Sequence, residues 1–285
     1  MADQTTGAEA GEQPGEEYEQ GVDLRTHLPH PARMYDYYLG GKTNFAADRE
    51  AAEQAIALYP QTRDVARANR AFLGRAVRFA AARGVRQFLD VGTGIPSPGN
   101  TNEVAAEVAP DARVVYVDND PIVLTHARAL LAGMDPSRRT RVLLGDLREP
   151  ATLLAEAGAV LDLDRPVALM LVAILHFIRD EEDPAGLVRE LLAPLAPGSC
   201  LILSHGTADG IEAELRTGGV DIYRNATAPL VFRTHEEVSG LFAGTDLVEP
   251  GLVLAHDWRP KAPGPEPAPP APLAPTLYAG VGVKP

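Results

Sequence analysis

A mixed α/β fold built on a mostly parallel sheet of seven strands follows from three features of the sequence. From Arg86 onward, short apolar runs alternate with helical patterns, the order that places helices on both faces of a parallel sheet. Three of the early runs end in an aspartate just before a turn: Asp90, Asp118 and Asp146. The last two runs have no helical pattern between them, so they can pair as antiparallel neighbours at the end of the sheet.

The chain has 285 residues, 45% of them hydrophobic and 23% charged, a balance that supports a sizeable buried core. Its formal charge is −13. Six acids and no base fall in residues 1–20, leaving −7 for the remainder. A moderately acidic body argues against binding nucleic acid through its phosphates, which requires clustered Lys and Arg. Cys200 is the single cysteine and sits in an apolar run, where an inert buried thiol is expected and an intramolecular disulfide is excluded. With no basic segment leading an apolar stretch and no uninterrupted apolar run of roughly 18 residues, neither a signal peptide nor a membrane span is indicated and the expected location is cytoplasmic. The histidines are scattered and a single cysteine is present, so no metal is expected.

Residues 1–24 are rich in Gly, Glu, Gln and Thr and are expected to stay disordered, because such a composition buries too little surface to offset ordering entropy. Residues 25–85 are expected to form an N-terminal helical segment that precedes the sheet. Within it an aromatic stretch from Met34 to Leu39 ends in Gly40-Gly41, helix signals begin near Asp48, Tyr59-Pro60 closes that helix, and a second helix runs from Thr62 to the stop at Gly84. The sheet domain occupies residues 86–285, with strands expected at 88–91, 114–118, 142–144, 167–175, 200–203, 247–254 and 277–283. Residues 260–275, dense in Pro and Ala, interrupt it as an extended loop.

The strongest motif is Phe88-Leu89-Asp90-Val91-Gly92-Thr93-Gly94, a strand that ends in an acid and turns through glycines that let backbone approach a ligand closely. Open parallel sheets bind ligands at such strand tips. A dinucleotide fingerprint needs a third glycine at position 97, where Ser97 stands between two prolines. A strand-to-helix turn without a ligand is the alternative. In Val117-Asp118-Asn119-Asp120-Pro121, Asp118 can bridge ribose hydroxyls while Asp120 caps the helix opened by Pro121. After the third strand, the carboxylate of Asp146 can accept from an adenine amino group with Leu147 over the ring, or it is a solvated loop acid. His176, following Ala173-Ile174-Leu175, can take a proton from an acceptor, hold the acceptor by a hydrogen bond, or serve as a structural residue beside Phe177.

These motifs resemble those of class I S-adenosylmethionine-dependent methyltransferases. A wider set, namely Tyr35 to Phe45, Asn100 to Val104, Val117 to Pro121, Leu175 to Ile178, Pro250 to Val253 and Trp258-Arg259-Pro260, resembles the bacterial S-adenosyl methyltransferase family across nearly everything after the acidic tail. The resemblance implies a Rossmann-like class I methyltransferase fold, with residues 25–85 as an N-terminal helical lid segment, and S-adenosylmethionine as cofactor. It implies methyl transfer to an O or N nucleophile, expected on a small molecule. Gly92, Thr93 and Gly94 would pass under the methionine part, with Asp90 towards the ammonium, Asn102 and Ala173 nearby, Asp118 and Asn119 at the ribose, and Asp146 and Leu147 at the adenine. Tyr37, Lys42, Asn44 and Arg70 are expected near the cofactor carboxylate or the acceptor, and Tyr223, Phe232 and Trp258 on the acceptor side, although aromatics serve more often as core. A binding protein that retains the pocket without transferring the methyl group, and a nicotinamide-dependent oxidoreductase, are the rival readings.

Overall fold

The structure, a computed structural model, describes residues 24–134, 139–260 and 276–285; the expected acidic tail and the Pro-rich loop lie almost wholly outside these residues. Three helices come first: α1 (Pro31–Tyr38), α2 (Ala46–Leu58) and α3 (Thr62–Ala82). There follow β1 (Gln87–Val91), α4 (Thr101–Val108), β2 (Arg113–Asp118), α5 (Pro121–Met134), β3 (Thr140–Leu144), α6 (Pro150–Gly158) and β4 (Ala168–Val172). The remainder comprises α7 (Pro184–Leu192), β5 (Cys200–Thr207), α8 (Ala213–Tyr223), α9 (His235–Gly240), β6 (Asp246–Leu247), β7 (Val253–Leu254) and β8 (Thr276–Val283).

The strands lie in the order β3-β2-β1-β4-β5-β8-β6, with β7 also on β8. Pairings among β1 to β5 are parallel. β8 runs antiparallel to β5 on one side and to β6 and β7 on the other. Alternation along each strand divides the core. Leu89, Val115, Val117, Leu169, Leu171, Leu201 and Leu203 face one side, packed with residues of α6, α7 and α9. Phe88, Val114, Tyr116, Met170, Cys200, Ile202 and Val281 face the other, against α3 and α4. Burial on both faces explains why these strands are continuously apolar.

The expected strand 247–254 is two short pieces, because Pro250 has no N–H to offer a ladder and Gly251 adopts φ +87° in the turn between them. The expected strand 167–175 stops at Val172: Ala173 takes φ +56° and residues Leu175–Phe177 form a 3-10 turn. The aromatic stretch after Pro31 is the helix α1. Its N-terminus is capped by His30 Nδ1, which accepts from the Ala32 N–H at 3.3 Å, with Pro31 in the first turn where its missing N–H costs nothing. Asp48, fully buried, ties α1 to α2 by accepting from the N–H groups of His30 and Phe45, both at 2.8 Å, beside the Arg33 guanidinium at 3.3 Å. The N-terminal helices share a small core of Met34, Tyr38, Ala51, Ala52, Ala55 and Ala66. Trp258 is fully buried edge-on to Phe72 and Phe79, with ring centroids 5.4 and 5.8 Å away. It is a core residue of the α3 face and does not line the cleft, which corrects the expectation that it faces an acceptor.

Candidate active site

A cleft of about 440 Å³ opens along the carboxyl ends of the parallel strands and is roofed by α1, α3 and the segment after α8. Its size falls within the range of small-molecule and cofactor sites, roughly 300 to 1,000 Å³. The sheet order gives the cleft a direction. The tips of β3, β2 and β1 bring Asp146 with Leu147, Asp118 with Asn119 and Asp120, and Asp90 with Gly92, Thr93 and Gly94. The tips of β4, β5 and β8 bring Ala173, Ile174, His176, Phe177, Gly206 and Leu277.

At the β1 tip both glycines take left-handed backbone, φ +75° at Gly92 and +68° at Gly94. A Cβ on Gly92 would come within 2.7 Å of Ile174, whereas one on Gly94 would meet nothing closer than Ala32 at 3.9 Å, leaving backbone open to a ligand. Asp90 is buried and accepts from the Thr101 hydroxyl at 2.7 Å; burial pushes its carboxyl up to about 6 against that bond and the Arg70 charge. Asp118 accepts from the Gly94 N–H at 2.8 Å and the Asp120 N–H at 3.0 Å, and burial likewise lifts it to about 6. Asp120 caps α5 by accepting from the Ile122 N–H at 2.9 Å, while its other oxygen is buried without a hydrogen bond, 3.4 Å from His30 Nδ1. Burial drives His30 to the neutral form, although Asp120 pulls the other way. Asp146 differs: burial raises it, but hydrogen bonds from the Arg148 N–H and Asn119 and the Arg148 charge outweigh that and hold it below the usual range.

The expected site residues divide. Asp90, Gly92, Thr93, Gly94, Asp118, Asn119, Asp146, Leu147, Ala173, Arg70, His176, Tyr223 and Phe232 all line the cleft. Tyr37, Lys42, Asn44 and Asn102 do not line it. The Tyr37 hydroxyl bonds Glu53 on the surface, and Lys42 is exposed. The Asn44 amide bonds Asp36 at 2.8 Å, closing the Gly40-Gly41 turn. Asn102 accepts from the Tyr116 hydroxyl at 2.8 Å on the α4 face. Tyr37, Asn44 and Asn102 hold turns and helices and Lys42 is exposed, so their place in the fold gives no support to a cofactor contact. Arg70 anchors the loop after β1 through Ser97 O at 3.0 Å and keeps a buried Nε without a partner.

A polar seam with no motif to announce it joins the N-terminal helices to the sheet. The Ala173 N–H donates to Ser204 Oγ at 3.0 Å, Ser204 donates to Asn69 at 2.7 Å, and Asn69 donates to the Tyr35 hydroxyl at 3.0 Å. Only Asn69 carried a signal, as a polar residue on the apolar stripe of α3. Buried polar groups persist when each is satisfied. Among the described residues no cluster of three or more His, Cys, Asp or Glu residues is placed to hold a metal.

The parallel strands, the antiparallel β8 inserted beside β5 and the acids at three neighbouring tips define the class I methyltransferase architecture. The S-adenosyl methyltransferase family model matches residues 17–285, and the chain belongs to that family. It is similar to a DUF574 family protein from Streptomyces avermitilis MA-4680, with 44% identity and a TM-score of 0.85 over 92% of this chain and all of the other. It is also similar to a protein from Thermobifida fusca YX, provisionally described as a methyltransferase, with 40% identity and a TM-score of 0.83 over 94% and 99% of the two chains. No protein of curated function matches it. The protein is thus an S-adenosylmethionine-dependent methyltransferase. The residues fit the cofactor: carboxylates at neighbouring strand tips suit an ammonium and ribose hydroxyls, and the same cleft holds a buried Asp120 oxygen without a partner and open backbone at Gly94.

Proposed function

We propose that the enzyme transfers the methyl group to an O or N nucleophile on a small molecule in the cytoplasm. One observation carries this reading: the carboxylates at the β1, β2 and β3 tips and a largely uncharged, aromatic-walled chamber at the β4, β5 and β8 tips are two ends of one cleft. Asp90 would face the cofactor ammonium, Asp118 with Asn119 the ribose, and Asp146 with Leu147 the adenine, with Gly92, Thr93 and Gly94 beneath and Arg70 near the carboxylate. The cofactor brings an electrophilic methyl group and a neutral thioether leaving group. The chain's own task is then alignment and exclusion of water, which contribute on the order of 7 to 11 kcal/mol. A cleft roofed by the lid suits a small acceptor. Among the described residues, no helix is long and apolar enough to cross a membrane. Incubation of the purified protein with radiolabelled S-adenosylmethionine and a library of small hydroxyl and amine compounds tests the reading; label transferred to a library member supports it, and label found only on added protein or nucleic acid contradicts it.

A further inference from the structure

His176 stands at the β4, β5 and β8 end of the cleft, and its protonation is fixed by its surroundings. Its Nδ1 accepts from the Gly206 N–H at 3.1 Å, so in the neutral ring the proton is on Nε2. The neighbouring His205 is fixed the opposite way. Its Nδ1 donates to Gly206 O at 2.8 Å and its Nε2 accepts from Arg233 at 2.8 Å. Arg233 is 5% exposed and is held by the Leu175 and Ile178 carbonyls and by Asp180. The His205 ring lies edge-on to His176, with centroids 5.5 Å apart. Burial, and then the nearby His205 and Arg233, keep His176 well below its ordinary pKa. An imidazole with Nδ1 occupied and Nε2 already protonated offers a hydrogen bond and cannot take a proton.

Among the described residues no other group in the chamber replaces it as a base. The Tyr38 and Tyr223 hydroxyls pair at 3.2 Å, and burial raises both, as it raises Tyr35. Among the described residues, the four carboxylates that line the cleft, Asp90, Asp118, Asp120 and Asp146, belong to the β1, β2 and β3 tips. An ammonium acceptor would therefore enter the chamber without a counter-ion, beside a cationic cofactor and the buried Arg233. Phe177, tilted over Tyr223 at 5.8 Å, and Phe232 supply flat apolar walls. Thr227, whose buried hydroxyl has no partner, adds a second free donor.

We propose that the acceptor is an oxyanion on a planar aromatic scaffold, a carboxylate or an acidic phenolate, held by a hydrogen bond from Nε2–H of His176. This rests on the methyltransferase reading of the cleft and narrows it to oxygen. An oxygen lone pair forms the new bond to the methyl carbon while the carbon–sulfur bond breaks, its pair remaining on sulfur. The products are a methyl ester or aryl methyl ether and a neutral thioether, and no proton has to leave in the step.

Calorimetry on the full chain loaded with S-adenosylhomocysteine tests this, with 2-naphthoate and 2-naphthylmethylammonium as matched probes. The expected result is naphthoate binding about 10-fold or more tighter than the ammonium, as hydrogen bonds to a charged group require. His176→Phe should lose about that factor for naphthoate, and His176→Gln, which keeps an N–H, should recover part of it. Equal or tighter binding of the ammonium, or no binding of either probe to a wild-type protein that binds the homocysteine, overturns the proposal. So does a His176→Phe protein that keeps the homocysteine and binds naphthoate like the wild type. If that variant does not fold, the wild-type comparison decides alone. Failure to bind S-adenosylhomocysteine at all would instead contradict the cofactor placement.

Discussion

Asp118 bears on both the fold and the cofactor. Its carboxylate satisfies the N–H groups of Gly94 and Asp120, so Asp118→Ala leaves two buried donors, costing about 1–3 kcal/mol of stability in urea unfolding. It should also weaken S-adenosylmethionine binding by about 10-fold or more, since hydrogen bonds to a charged acceptor are the stronger kind. Unchanged affinity in calorimetry would contradict the ribose assignment. Asp90 and Asp118 both titrate at about 6 in the fold, against about 3.9 in an unfolded chain. The folded state thus binds more protons between those values, and each contribution to stability falls as pH rises from about 4 to about 6 and is flat above. A cationic cofactor favours the ionised forms, so its affinity should drop below about pH 6, with protons released on binding. Affinity that stays constant between about pH 5 and 8, measured in buffers of different ionisation enthalpy, would count against both assignments. The three acids at strand tips were legible because an aspartate ending an apolar run has few structural reasons to be there. Thr227 and the His205–Arg233 pair were not: the Thr227 hydroxyl is buried without a partner, and His205 and Arg233 meet from segments far apart in sequence.

At the level of elements, sequence patterning located α3 and the parallel strands, because continuous apolar runs and a 3.6-residue stripe each have one structural solution. It passed over α1, whose Pro31 and two closing glycines read as irregular, and α6, which is short. Trp258 shows the ambiguity of aromatics: it pins the segment after β7 to α3, where Arg75 also donates to the Trp258 and Ala255 carbonyls at 2.7 and 2.6 Å. Trp258→Ala should destabilise by about 3–5 kcal/mol. Trp258→Phe should cost far less, because the indole N–H has no partner to lose. Cofactor affinity should stay the same in Trp258→Phe. A change there with stability preserved would return Trp258 to the site.

For the molecule as a whole, the order β3-β2-β1-β4-β5-β8 sets the reading direction of the cleft, and the antiparallel closing strand was visible as two runs without a helix between them. The contacts that hold the N-terminal helices to the β2 tip could not be read from sequence, since they pass through Arg33, Asp48 and Asp120 from three separate segments. A ligand that bridges lid and sheet stabilises both together, so S-adenosylmethionine at 100 times its Kd should add about 2.7 kcal/mol to unfolding and slow amide exchange in α1 and α2. Unchanged exchange there would detach the lid from the site. The most direct measurement is a crystal structure of the chain with S-adenosylhomocysteine. The adenine should lie by Asp146 and Leu147, the ribose on Asp118, and the sulfur should face the chamber bounded by His176, Phe177 and Phe232. A nucleoside bound outside the β1, β2 and β3 tips, or a sulfur turned away from His176, would contradict the account.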